Sequence, residues 1–123
     1  MYCDDDPYLA DVRRVCLALP DAVEVEAWGR PTFRSGAKGK IFAVFSGGGA
    51  RPYGLVFKPE EPAEREALVA DARFYVPPYY GPYGWLALDL TAARPDWDEV
   101  GELVTGSYRQ VALKRQLKAL EAI

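Results

Sequence analysis

Histidine is absent from this sequence of 123 residues. With it go the usual general base at neutral pH, the Ser-His and Cys-His nucleophile pairs and the commonest transition-metal ligand. Cysteine is scarce: Cys3 and Cys16 are the only two, too few for a zinc site without histidine. Cys16 falls on the apolar stripe of a predicted helix, where a reduced thiol acts as a small hydrophobe. Asp4, Asp5 and Asp6 lack the alternating spacing and turn glycine of a calcium loop, so no metal or other cofactor is expected. No apolar run approaches the ~20 residues of a membrane span. The first residues are acidic where a signal peptide is basic and then apolar, so a cytoplasmic protein is expected.

One further absence is local. Between Arg30 and Lys58 there is no Asp or Glu, although acids outnumber bases 18 to 15 over the chain. That segment holds Arg30, Arg34, Lys38, Lys40, Arg51 and Lys58 and is +6, which leaves −9 on the remainder. Such segregation makes a local positive field on an acidic protein and steers an anionic partner to one face.

The length fits a single domain, residues 1–123, with one core. Leu9, Val12, Cys16 and Leu19 recur at helical spacing up to Pro20, with Asp6 placed to cap ahead of Pro7. Alternation from Val23 to Trp28 predicts a strand. Further strands are predicted near Thr32–Arg34, Lys40–Phe45 and Tyr53–Lys58, separated by glycine-rich hairpin loops at Ser35–Gly39 and Ser46–Pro52. Pro62–Ala72 has good helix formers, with Ala63, Ala67 and Leu68 on the inner side. Phe74–Val76 reads as extended, Pro77–Gly84 as a proline and tyrosine loop, and Trp85–Leu90 as a strand. A last helix opens on a capping-box-like Asp96 and Glu99 and runs past Val100, Val104, Ser107 and Val111 toward Leu117 and Leu120. The fold class is α+β in two layers, an antiparallel sheet packed against helices in the order α-β(3 or 4)-α-β(2)-α. Trp28, Trp85 and Trp97 are expected to pack into the domain.

Motifs for catalysis are missing. Gly47, Gly48 and Gly49 lead to Arg51-Pro52 and a strand, whereas a phosphate-cradling loop opens a helix. Asp96, Asp98, Glu99 and Glu102 sit on the first turns of a helix, where the macrodipole favours acids. The chain is not expected to be an enzyme.

The block Glu26-Ala27-Trp28-Gly29-Arg30-Pro31-Thr32-Phe33-Arg34, with Lys40-Ile41-Phe42-Ala43, Gly84-Trp85-Leu86, Ser107-Tyr108 and the early Leu17-Ala18-Leu19-Pro20, resembles the MmcQ/YjbR family. The resemblance implies a two-layer α+β fold of helix, three strands, helix, two strands and helix. It also implies DNA binding by a "double wing" of loops, here Ser35–Gly39 with Lys38 and Ser46–Pro52 with Arg51. The chain departs from the family where Pro82-Tyr83-Gly84 precedes Trp85, since members commonly carry a lysine and a histidine there.

Two roles follow from these residues. In the first, Arg30, Arg34, Lys38, Lys40, Arg51 and Lys58 contact the phosphates of DNA or another nucleic acid, and Tyr79, Tyr80 and Tyr83 stack on bases. Arg30 also has a structural reading, bracing its strand against Trp28 and Glu26. In the second role the chain is a protein or peptide interaction module, chaperone-like, using the sheet face or the tyrosine-rich loop. Convergence of the basic side chains on one face favours the first, and an exposed apolar patch of several hundred Å² the second.

Overall fold

Alternating apolar residues in the first half of the chain build an antiparallel sheet in the computed structural model, which describes residues 2–47, 53–78 and 81–122. In chain order the elements are α1 (Leu9–Leu17), β1 (Val23–Ala27), β2 (Arg30–Arg34), β3 (Ile41–Gly47), β4 (Tyr53–Phe57), α2 (Pro62–Val69), β5 (Phe74–Tyr75), a 3-10 turn (Gly81–Tyr83), β6 (Leu86–Asp89), α3 (Trp97–Arg109) and α4 (Lys114–Glu121). The six strands lie in the order β1-β2-β3-β4-β6-β5, each antiparallel to its neighbour. This is the expected α+β class.

Register divides the sheet into two chemically different faces. Phe33, Ala43, Phe57 and Leu86 pair across one row, and Phe45, Leu55, Leu88 and Phe74 across the next. Both rows pack with Leu9, Val12 and Cys16 of α1 and Val100, Val104 and Tyr108 of α3. Full burial of each large apolar side chain contributes about 1.5–3 kcal/mol, so this cluster dominates stability. A bulge inserts Phe42, since Phe33 faces Ala43 while Arg34 faces Ile41. The extra residue turns its ring edge-on to Tyr108, with centroids 5.4 Å apart.

On the opposite face Thr32, Val44, Val56, Ala87 and Tyr75 pair in one row. Val44, Val56 and Ala87 are buried, with Ile41, Tyr75 and Trp85 packed against them. Gly54 is required in this layer because the Tyr75 hydroxyl occupies the space of a side chain there: an added Cβ would lie 2.4 Å from it.

Several local expectations need correction. The last helix divides into α3 and α4, with Leu113 extended between them. Neither glycine nor proline marks this break. Gln110 Nε2 donates to the Lys58 carbonyl, and Gln116 Oε1 accepts the Leu113 amide, so side-chain partners replace the helical ladder. Asp96 does cap α3, accepting from the amides of Asp98 and Glu99, but the Glu99 carboxylate accepts from Arg73 instead of closing a capping box. Asp6 accepts from the Cys3 amide, and α1 starts from Tyr8 without a side-chain cap. Helix α2 buries no residue; Ala63 and Ala67 are exposed, and Leu68, like Arg65, is half-buried. Trp28 does not pack. It is 74% exposed and forms a two-residue turn with Gly29, at φ of 53° and 72°. Trp85, Trp97, Val111, Leu117 and Leu120 are half-buried, whereas Leu9, Val12, Cys16, Leu19, Val100, Val104 and Ser107 are buried.

Candidate functional site

Strand parity assembles the site. In β2 the residues Arg30, Thr32 and Arg34 alternate with Pro31 and Phe33, and Phe33 belongs to the helix-side core, so both arginines face the side of the sheet away from α1 and α3. By the same register Glu24 and Glu26 of β1 point to the helix side, paired opposite Phe33 and Pro31. There the Arg13 guanidinium donates to Glu24, and the Tyr2 hydroxyl donates to Glu26 at 2.9 Å. The acids and bases that are neighbours in sequence are thus separated by the sheet.

Arg34, Lys40 and Lys58 line one pocket of about 640 Å³, together with Ile41, Trp85 and the end of α3 at Ser107, Gln110 and Val111. Among the described residues, no Asp or Glu shares this lining. A second cavity of about 490 Å³ adjoins it, shares Lys40, and adds Lys38 and Arg115. The turn Ser35–Lys40 holds these lysines in place: the Ser35 amide donates to the Lys40 carbonyl at 3.1 Å and the Gly39 amide to the Gly36 carbonyl at 2.9 Å. A Cβ at Gly39 would fall 2.4 Å from Ser35 Oγ and 2.9 Å from the Gly36 nitrogen, so no larger residue fits this turn. Gln116 fastens the turn to α4 by donating to the Ser35 carbonyl. At the other rim Ser107 Oγ accepts the Lys58 amide at 3.0 Å and donates to the Phe42 carbonyl at 2.6 Å.

The basic residues divide into two sets. Arg13, Arg14, Arg73, Arg109 and Arg115 all form ion pairs with carboxylates. Two carboxylates on each of Arg13 and Arg73 raise their pKa values further. Among the described residues Arg30, Arg34, Lys38, Lys40 and Lys58 have no ion-pair partner, as is also true of Arg65, Arg94, Lys114 and Lys118, and Arg34 donates only to Thr32 Oγ1 at 3.4 Å. Arg30 therefore does not brace its strand through Glu26. It lies at the opposite end of β2 from the pocket, about 13 Å from Arg34 at ~3.3 Å per residue.

Arg51, Tyr79 and Tyr80 lie outside the described residues. Tyr83 is 73% exposed and is followed by Gly84, where an added Cβ would lie 3.6 Å from Lys58 Cε. Sequence reasoning missed Gln110 as part of the lining and Trp85 as a pocket wall. Strand parity was the available signal for Trp85, because Ala87 lies two residues on and faces the side away from α1 and α3.

A two-layer α+β domain with a cationic pocket where the sheet meets the end of α3 is the class these observations define. The YjbR family model matches residues 17–110, and the chain belongs to the YjbR family. Among solved structures it is similar to the crystal structure of Deinococcus radiodurans protein DR2400, a protein with a DUF419 domain. The TM-score is 0.71 and the identity 24%, over 92% of this chain and 87% of that one, a likeness of fold. No curated protein matches the chain. Among the described residues, no helix is long and apolar enough to cross a membrane.

Proposed function

We propose that this protein binds nucleic acid, DNA foremost, and catalyses no reaction. The phosphate contacts are Arg34, Lys40 and Lys58 in the pocket, with Lys38 on the adjoining turn, Arg30 farther along β2, and Arg51, which lies outside the described residues. The observation that carries this reading is that the three pocket cations share one concavity without a carboxylate. Unpaired cations of like sign held together favour a polyanion, and a guanidinium offers it planar bidentate donors. A cytoplasmic location accords with this role. The interaction-module reading has less support on the sheet face, where Val44, Val56 and Ala87 are buried.

Fluorescence anisotropy with labelled single- and double-stranded oligonucleotides over a salt series tests the proposal. Log affinity should fall against log salt by roughly 0.9 per phosphate contact on duplex DNA. A Lys40→Ala/Lys58→Ala variant should bind more weakly and flatten that slope by up to about two units. Absence of binding at low salt, or a variant with unchanged affinity and slope, overturns the reading.

A further inference from the structure

Trp28 is the most exposed of the large apolar side chains described, at 74%. It has no hydrogen-bond, ring or cation partner among the described residues. Its backbone is left-handed, at φ 53°, a conformation that Gly, Asn and Asp adopt readily and a bulky aromatic rarely does. Because Gly29 is also at positive φ, the turn has the pattern of type I′, in which Asn-Gly is the favoured pair. An exposed indole thus stands where it contributes nothing to packing and strains the backbone, and such outliers cluster at binding sites.

Its surroundings fit one kind of partner. Arg30 closes the turn opposite Ala27 and lies on the same sheet face as Arg34 and the pocket. The nearby acids Glu24 and Glu26 point to the other side. A cationic path that ends in an unpartnered aromatic side chain is the arrangement that holds single-stranded nucleic acid: cations track the phosphates and the ring stacks on a base free of its complement.

We infer that Trp28 is a stacking platform for an unpaired base, and that the β1–β2 hairpin extends the cationic pocket into a single-strand-selective track. This rests on the nucleic-acid reading above. It gives the indole the role of discriminating unpaired from paired bases, since a duplex keeps its base faces stacked.

The test compares wild type, Trp28→Ala and Trp28→Asn, the last of which suits the left-handed turn and preserves the fold. Anisotropy is measured with oligothymidylate, with an abasic strand of the same length, and with a duplex. The wild type should prefer oligothymidylate to both other probes. Each variant should lose about fivefold or more in affinity for oligothymidylate, corresponding to about 1 kcal/mol. Affinity for the abasic strand and the salt slope should stay as in wild type, because no phosphate contact is removed. Equal weakening on both single strands, or unchanged affinity for oligothymidylate, overturns the role of Trp28 while leaving the pocket intact. Failure of the wild type to bind any probe at low salt removes the nucleic-acid reading and this inference together.

Discussion

The Ser107 hydroxyl accepts the backbone amide of Lys58 at 3.0 Å, so a residue of the longest helix fixes where one of the pocket cations leaves the sheet. The same hydroxyl donates to the Phe42 carbonyl at the β3 bulge, and its side chain is only 2% exposed. Replacing Ser107 by alanine leaves two backbone groups short of a partner. The expected loss is about 1–3 kcal/mol of unfolding free energy, read from urea denaturation. A shift smaller than a few tenths of that would show that water takes over both bonds.

Trp28→Asn should raise stability. It exchanges a bulky residue at φ 53° for one that tolerates this conformation, in a turn already completed by Gly29. A gain of up to about 1 kcal/mol is expected in thermal or urea unfolding. A loss of stability would show that the exposed indole makes contacts that support the hairpin.

Acid sensitivity should trace in part to Asp71 and Asp21. Hydrogen bonds from Arg73 hold the Asp71 carboxyl below its ordinary 3.8, and hydrogen bonds from Arg115 and Gln116 do the same for Asp21. A carboxyl whose folded pKa is depressed contributes stability above its unfolded value, and the contribution is lost as pH falls through the folded value. Asp71→Asn should therefore be less stable than wild type at neutral pH, with the gap closing below pH 3.8. Urea midpoints at stepped pH measure this, and a gap independent of pH would refute it.

The two thiols should differ in reactivity. Cys3 is exposed, whereas Cys16 is wholly buried in the helix-side core, and burial pushes its pKa well up. A thiol reagent should titrate one group in the native protein and two after denaturation. Rapid labelling of both in native buffer would mean that α1 opens readily.

Much of this fold was legible because its signals are periodic. Leu9, Val12 and Cys16, like Val100 and Val104, lie at helical spacing and are buried. Phe33, Leu55, Phe57 and Leu88 likewise follow strand parity into the core. The division of α3 from α4 was not legible, since the bonds that make it come from Gln110 to Lys58 and from Gln116 to Leu113 and Ser35, and distant partners leave no local pattern. Trp28 misled for a different reason. Alternation extended β1 by one residue into the turn, and aromatic residues are usually buried. The basic segment was visible as charge, but its grouping was not. Arg34, Lys40 and Lys58 come from three places in the chain and meet only through the register of β2, β3 and β4.

The partition of charge by the sheet also acts before any contact is made. Glu24 and Glu26 lie on the helix side, and Glu60, Glu64, Asp98 and Glu102 line a cleft among the helices together with Arg14 and Arg109, while Arg30 and Arg34 face the other side of the sheet. The unpaired cations of the pocket therefore stand apart from these acids on a molecule whose net charge is −3. In the field of a polyanion this separation produces a torque that turns the pocket inward even while the net charge is repelled. Orientation and approach then respond oppositely to salt. Screening over a Debye length of about 8 Å at physiological ionic strength weakens the repulsion and the torque together, leaving only encounters at close range to be guided.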